Sequence, residues 1–166
     1  MMFKVNFKFL EKKKTVFEQD IIEPEFSIEA DNLLKCNKLH FKIFIEKINE
    51  GFLLDGELTF NLSMSCDRCG DEYTMATQET FNLFFTSDSS LIKEESEDII
   101  LLEDSEVEFY DIFQEKLILS LPMKSLCDSD CKGLCFSCGA NLNNEKCSCV
   151  NEEKQENSFS EDSDME

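Results

Sequence analysis

The stretch Cys127-Asp128-Ser129-Asp130-Cys131-Lys132-Gly133-Leu134-Cys135-Phe136-Ser137-Cys138-Gly139, closed by Cys147-Ser148-Cys149, decides how this chain is organised. It holds six of the nine cysteines, and two more stand far upstream in Cys66-Asp67-Arg68-Cys69-Gly70. The spelling Cys-x-x-Cys-Gly therefore occurs twice. Two thiolates three positions apart can reach one tetrahedral Zn2+, and the glycine after them permits the φ > 0 turn that aims backbone N–H groups at the sulfurs. Each such knuckle supplies half of a four-cysteine site. Two further cysteine pairs remain to complete both sites, and only Cys36 is left over, a small thiol with no ligand role.

The favoured partition sets Cys66 and Cys69 with Cys127 and Cys131 as a long-range clamp, and Cys135 and Cys138 with Cys147 and Cys149 as a local ribbon. The local loop, Gly139 to Lys146, is rich in Gly and Asn, which turn a chain back at little cost. The alternative places Cys127, Cys131, Cys135 and Cys138 on one metal, because spacing alone does not fix partition.

Other readings of the cysteines fit less well. Disulfides require an oxidising compartment, and Met1 to Leu10 alternates Phe and Val with Lys and Asn where a secretory signal would be apolar. A thioredoxin-like pair opens a helix after a strand. Here Leu58–Met64 alternates before Cys66, and alternation resumes at Tyr73, which puts the pair on a hairpin tip. Cys131-x3-Cys135-x2-Cys138 also spells an iron–sulfur motif of radical S-adenosylmethionine enzymes, but a large barrel follows that motif and only a short stretch follows here. Four thiolates would accept iron as well as zinc.

A length of 166 residues fits one domain, or one domain with a small appendage. No apolar run approaches the ~20 residues a membrane-spanning helix needs, so no membrane role is expected. Sixteen Lys and Arg against 36 Asp and Glu give a formal charge of −20. Two sites of four thiolates around a divalent ion add −2 each, for −24. Nucleic-acid binders cluster Lys and Arg to displace counterions from phosphate. This chain has one arginine, Arg68, and one short basic run, Lys12-Lys13-Lys14, read as a solvated turn. Direct binding to naked RNA is therefore not expected. A strongly acidic protein attracts basic partners, of which histones and ribosomal proteins are the most abundant.

The pattern is mostly strand. Phe3, Val5, Phe7 and Phe9 alternate with polar residues, as do Leu39, Phe41, Ile43 and Ile45, then Leu58, Phe60, Leu62 and Met64. Tyr73 to Phe85 continues the alternation. Sixteen phenylalanines and no tryptophan are expected to fill a core between sheet faces. Thr86 to Ser105, dominated by Ser and acids around Ile99-Ile100-Leu101-Leu102, reads as a flexible linker with one edge strand. One helix is predicted over about 110–121: Ile112, Phe113, Lys116, Leu117 and Leu121 recur at helical spacing, Asp111 suits the helix dipole, and Pro122 stops the run. Its task is to pack on the sheet and deliver residues 122–126 to the cysteines. The tail from Asn151 to Glu166, with seven acids against Lys154, is expected to be disordered.

Catalytic chemistry is hard to find. His40 is the only histidine and sits among apolar strand residues; no G-x-S-x-G elbow or phosphate loop is present. Zinc held by four cysteines is coordinatively closed and folds protein without activating water.

The run Leu119 to Leu142, with the upstream Cys66-Asp67-Arg68-Cys69, resembles the bacterial YceD family of large ribosomal RNA subunit accumulation proteins. The resemblance extends over about Gly51 to Cys149, and Cys131-Lys132-Gly133-Leu134-Cys135-x-x-Cys138-Gly139-Ala140-Asn141-Leu142 is its most specific part. It implies a role in accumulation of large-subunit ribosomal RNA, a cytoplasmic setting with plastid relatives, and structural zinc. The expected architecture is α+β, mainly antiparallel β-sheet with one helix in the C-terminal half and a zinc-ribbon-like cysteine-rich end. In domain terms, 1–126 forms an acidic strand-rich body, 127–149 a zinc-binding segment packed on it, and 150–166 an acidic tail. The expected protein is a non-enzymatic ribosome-biogenesis factor that holds a basic ribosomal protein or assembly intermediate, carries two structural Zn2+ ions, and uses Cys66, Cys69, Cys127, Cys131, Cys135, Cys138, Cys147 and Cys149 as ligands. The competing reading is an RNA-binding zinc-ribbon adaptor that recruits or blocks a ribonuclease.

Overall fold

Long runs of alternating apolar and polar residues build a sheet whose one face is dry. The computed structural model describes residues 3–11, 13–28, 30–92 and 98–151. Three long strands, β3 (Leu33–Ile48), β4 (Gly51–Ser65) and β5 (Glu72–Thr86), form an antiparallel meander. Strand β2 (Lys14–Ile22) adds antiparallel to β3, and β6 (Ile99–Leu101) adds parallel to β5, for a sheet order β2-β3-β4-β5-β6. A separate two-stranded sheet pairs β1 (Lys4–Asn6) with β7 (Glu106–Glu108). With one α-helix among the described residues, α1 (Tyr110–Ser120), the chain is α+β and mainly antiparallel, as the periodicity predicts.

Because side chains alternate across a strand, register decides what is buried. Leu39, Phe41, Ile43 and Ile45 of β3 face inward opposite Phe60, Leu58, Gly56 and Leu54 of β4. The phenylalanines fill the core, and α1 packs on the sheet as expected. One face of the five-stranded sheet is covered by α1, by the small β1–β7 sheet and by the N-terminal turn. Phe113 of α1 stacks on Phe41 at 5.1 Å between centroids, Phe3 sits 4.6 Å from Phe41, and Phe7 sits 5.0 Å from Phe85. Such tilted aromatic pairs add to the stabilisation from area burial.

The N-terminal alternation extends as strand for only three residues. Phe7–Phe9 turns into a 3-10 helix, because the Asn6 side chain accepts a hydrogen bond from the Lys8 N–H at 3.1 Å and so favours the turn. Phe9 is left exposed as a result. Strand β2 has no counterpart in the sequence reading. Its Lys14 begins the strand and, with Lys13, pairs with Glu46 on β3, while Lys12 lies outside the described residues.

The linker expectation holds for the edge strand β6. A 3-10 turn over Ser89–Leu91 precedes it, and residues 93–97 lie outside the described residues. So do residues 152–166, where most of the acidic tail falls. Helix α1 ends one residue before the predicted limit. Leu121 takes ψ 134, the extended conformation that a following proline imposes on its predecessor.

Candidate metal centres

The first cysteine pair lies at the tip of the β4–β5 hairpin. Its loop closes with the Cys66 N–H donating to the Asp71 carbonyl and the Gly70 N–H donating to the Cys66 carbonyl, both at 2.9 Å. The second knuckle repeats the closure: the Gly139 N–H donates to the Cys135 carbonyl at 2.9 Å. Gly70 and Gly139 hold φ of 74° and 73°, a conformation that costs an L-residue with a side chain but not glycine. Two remote segments of sequence thus adopt one local geometry.

The structure gathers all eight predicted cysteines into two sets of four, in the favoured partition. Cys66, Cys69, Cys127 and Cys131 form one set, and Cys135, Cys138, Cys147 and Cys149 the other; within each, the sulfurs lie within 4.8 Å of one another. The alternative grouping of Cys127, Cys131, Cys135 and Cys138 is not the arrangement found. Cys36 is in neither set. It is buried on β3, its Sγ 3.6 Å from the Lys38 carbonyl, and burial pushes its thiol up to about 11, which makes it inert at neutral pH.

The first set is the more enclosed. Cys66, Cys69 and Cys131 are buried and packed by Tyr73 and Leu126. Sulfur separations of 3.8 Å (Cys66–Cys131) and 3.7 Å (Cys69–Cys127) match the edge of a tetrahedron with metal–sulfur bonds of about 2.3 Å, which is about 3.8 Å. In the second set, Cys147 lies 3.3 Å from both Cys135 and Cys138, slightly inside that edge. All these distances far exceed a disulfide bond of about 2.05 Å. The donor set, four soft sulfurs with no water or carboxylate among them, suits zinc or iron in a closed structural role.

Hydrogen bonds shape the sulfurs' charge. Burial alone would raise the Cys66 thiol, but the backbone N–H groups of Cys127, Cys69 and Arg68 outweigh it and hold Cys66 down at about 6. The backbone N–H of Cys138, then the Cys147 thiol and the Ser137 N–H, bring Cys135 down to about 7. Their neighbours move the other way. The Cys135 sulfur is the largest influence lifting Cys147 to about 12, and burial lifts Cys127. Four sulfurs this close cannot all ionise by themselves; a divalent cation among them would supply the missing counter-charge.

Around the first set runs a polar frame that the sequence reading did not single out. The Asp67 carboxylate accepts the Ser125 N–H at 2.6 Å, and the Asp67 N–H donates to the Ser125 carbonyl at 2.7 Å. This two-way clasp fastens the segment after α1 to the hairpin tip. Arg68 donates through Nη1 to the Cys131 carbonyl at 2.8 Å. Asn143 donates to the Cys131 sulfur at 3.2 Å, while its Oδ1 accepts the Lys132 N–H at 2.7 Å. Asn141 reaches Asp71 at 2.8 Å and ties the second knuckle's loop to the first. No spacing rule marks such asparagines, since their partners are up to 70 residues away. His40 stands apart from both sets, its Nδ1 2.8 Å from Asp20 on the opposite face of the sheet from the core.

Residues 54–161 match the family described as large ribosomal RNA subunit accumulation protein YceD. The chain belongs to the YceD family. It is 33% identical over 129 residues to large ribosomal RNA subunit accumulation protein YCED homolog 1, chloroplastic, of Arabidopsis thaliana, covering 61% of this chain and 40% of that relative. It is also 26% identical over 106 residues to an uncharacterized protein of Mycobacterium leprae, covering 63% of this chain and 49% of the relative. The chain thus spans less than half the length of these two relatives. No solved structure matches it. The YceD match takes in both cysteine sets, β4 from Leu54 onward, β5 and helix α1. The family description ties it to large-subunit ribosomal RNA accumulation. Among the described residues no helix is long and apolar enough to cross a membrane.

Proposed function

We propose that this YceD protein is a non-enzymatic, cytoplasmic ribosome-biogenesis factor that supports large-subunit rRNA accumulation by binding a basic ribosomal protein or an assembly intermediate. The observation that carries the reading is the charge of −20 on a sheet-based body whose cysteine sets form closed, sulfur-only sites. Zinc is the ion this reading assigns to both, with all eight cysteines as ligands. The zinc-bearing segment 127–149 then serves as a rigid end piece of the body formed by 1–126.

Purified protein is accordingly expected to carry about two Zn2+ per chain, each with four sulfur neighbours at about 2.3 Å. Elemental analysis and X-ray absorption at the zinc edge check this. A metal-free protein whose eight thiols all titrate freely in the native state would remove the structural basis of the proposal.

Binding discriminates partners. A basic ribosomal protein is expected to bind tightly at low salt and to weaken steeply as salt screens the exposed charges. Isolated rRNA fragments bind poorly, because phosphate is repelled. Deleting Asn151 to Glu166 removes six net negative charges, seven acids less Lys154, and slows association more than it speeds release. Stopped-flow and equilibrium titrations across salt concentrations provide the readout.

One feature favours the second reading, an RNA-binding zinc-ribbon adaptor. Phe136, in the second knuckle, is fully exposed, and Leu134 is half-exposed beside it. Between Cys131 and Cys149 the only charged side chains are Lys132, Lys146 and Glu145, so this end does not share the acidity of the whole chain. An exposed aromatic beside lysines can stack on an unpaired base. A submicromolar complex with naked rRNA that resists salt and is lost in Phe136→Ala would make this the correct reading.

A further inference from the structure

Among the described residues, strand β2 ends the sheet and its outer edge is unpaired. The register with β3 fixes which groups face outward. Lys13 accepts from Lys47 and Glu23 donates to Asn37, and both pairs obey the same register as Lys14↔Glu46 through Ile22↔Lys38. In an antiparallel ladder, hydrogen-bonded pairs alternate with non-bonded ones. The odd-numbered residues of β2 therefore bond β3, and Lys14, Val16, Glu18, Asp20 and Ile22 point their N–H and C=O groups away from the sheet. Among the described residues no backbone group pairs with them. The opposite edge strand, β6, has three residues against nine in β2.

Long open edges are usually blunted by proline, bulges or inward charges. Strand β2 contains no proline, and its register with β3 runs unbroken over nine pairs. Its exposed face carries Glu18, paired with Lys42, and Asp20, paired with Lys38, and beyond its end lies a cavity of about 610 Å3. Glu23, Glu25, Glu108 and Asp111 line that cavity around Ile21 and Tyr110. Lys35 pairs with Glu23 and Lys4 with Glu108, whereas Glu25 and Asp111 have no ion-pair partner among the described residues.

We infer that the free edge of β2 is a strand-addition site for an extended, Lys/Arg-bearing segment of a basic protein. The inference rests on the acidic-surface reading given above and specifies where that surface grips. The added strand hydrogen-bonds to the outward groups of Lys14, Val16, Glu18, Asp20 and Ile22, which supplies sequence-independent affinity. Glu18 and Asp20 already pair with Lys42 and Lys38, so selection for basic sequence falls to Glu25 and Asp111, which meet the cationic side chains at the end of the edge. Pairing with a second copy of this chain is disfavoured, because each copy carries −20.

The test uses the full chain and a nine-residue peptide alternating Lys and Val, with a control in which every Val is replaced by Pro. Amide hydrogen exchange is followed by NMR, and affinity by titration at low salt. The variant V16P/I22P leaves the net charge unchanged and keeps the ladder to β3, since both N–H groups point outward and proline is tolerated on such edges. The Lys/Val peptide is expected to protect the amides of Val16, Glu18, Asp20 and Ile22, and V16P/I22P to weaken its binding by about tenfold or more. E25Q/D111N is expected to weaken binding several-fold, and the control peptide to protect none of these amides. If V16P/I22P fails to fold, amide protection in the unaltered chain decides alone. Equal binding by both peptides without protection of β2 amides would overturn the edge site and leave the acidic-surface reading standing. No binding by either peptide at low salt would overturn both. Protection of the same amides that rises with protein concentration, without peptide, would assign the edge to a second copy and overturn the inference.

Discussion

Replacing Cys66 with serine is expected to unfold much of the body, whereas replacing Cys147 is expected to loosen only its end. A metal ion in the first set would join residues 58 and 65 positions apart, Cys69 to Cys127 and Cys66 to Cys131, and so tie the hairpin tip to the segment beyond α1. In the second set, Cys147 is 9 and 12 positions from Cys138 and Cys135. Loop closure scales with the logarithm of length, so the longer link restrains the unfolded chain by roughly 1.5 kcal/mol more. Loss of the buried first site also breaks the packing of Tyr73 and Leu126 on the cysteines. Cys66→Ser should therefore cost about 3–5 kcal/mol, on the order of 10 °C in Tm, and Cys147→Ser about 1–2 kcal/mol. Calorimetry of the zinc-loaded variants is the check. Equal losses would contradict this division between the two sites.

The second large effect separates two phenylalanines. Phe113 is buried on α1 against Phe41 and Phe109, with centroids 5.1 and 5.8 Å away. Phe113→Ala leaves a ring-sized hole where the helix docks on the sheet, and should cost about 3–5 kcal/mol in urea unfolding. The same helix leads into Ser125, which clasps Asp67, so the variant should also release metal from the first set sooner under a chelator. Phe136→Ala, on a fully exposed ring, should stay within about 0.5 kcal/mol of the unaltered protein. Similar costs for the two would mean that the helix is not anchored through Phe113.

The hairpin, the helix and the two Cys-x-x-Cys-Gly knuckles were legible because each rests on a local rule. Period-two alternation buries one face of β3, β4 and β5; Pro122 forces Leu121 out of helical geometry; Cys-x-x-Cys-Gly demands a turn. What escaped was set by contacts across the chain. Lys14–Ile22 has too many charged and polar residues to read as a strand, and becomes one because β3 offers a partner for every odd residue. Phe7–Phe9 continues an alternating pattern, yet Asn6 turns it. Asp67, Asn141 and Asn143 look like ordinary loop residues. Their roles appear only when the hairpin tip, the end of α1 and the second knuckle meet, which no window along the sequence samples.

The length of β4 also fixes a distance. Fifteen residues at about 3.3 Å each carry the chain on the order of 50 Å from the Ile48–Gly51 turn to the knuckle at Cys66. Continuous pairing with β5 over fourteen positions makes that span a strut and not a tether. A 100-residue globular domain, with a radius of gyration of about 13 Å, could touch one end of the strut but not both. Simultaneous contact at the two ends requires a partner on the order of 50 Å across, the size of a globular domain of roughly 300 residues, and the meander would then act as a gauge of its size.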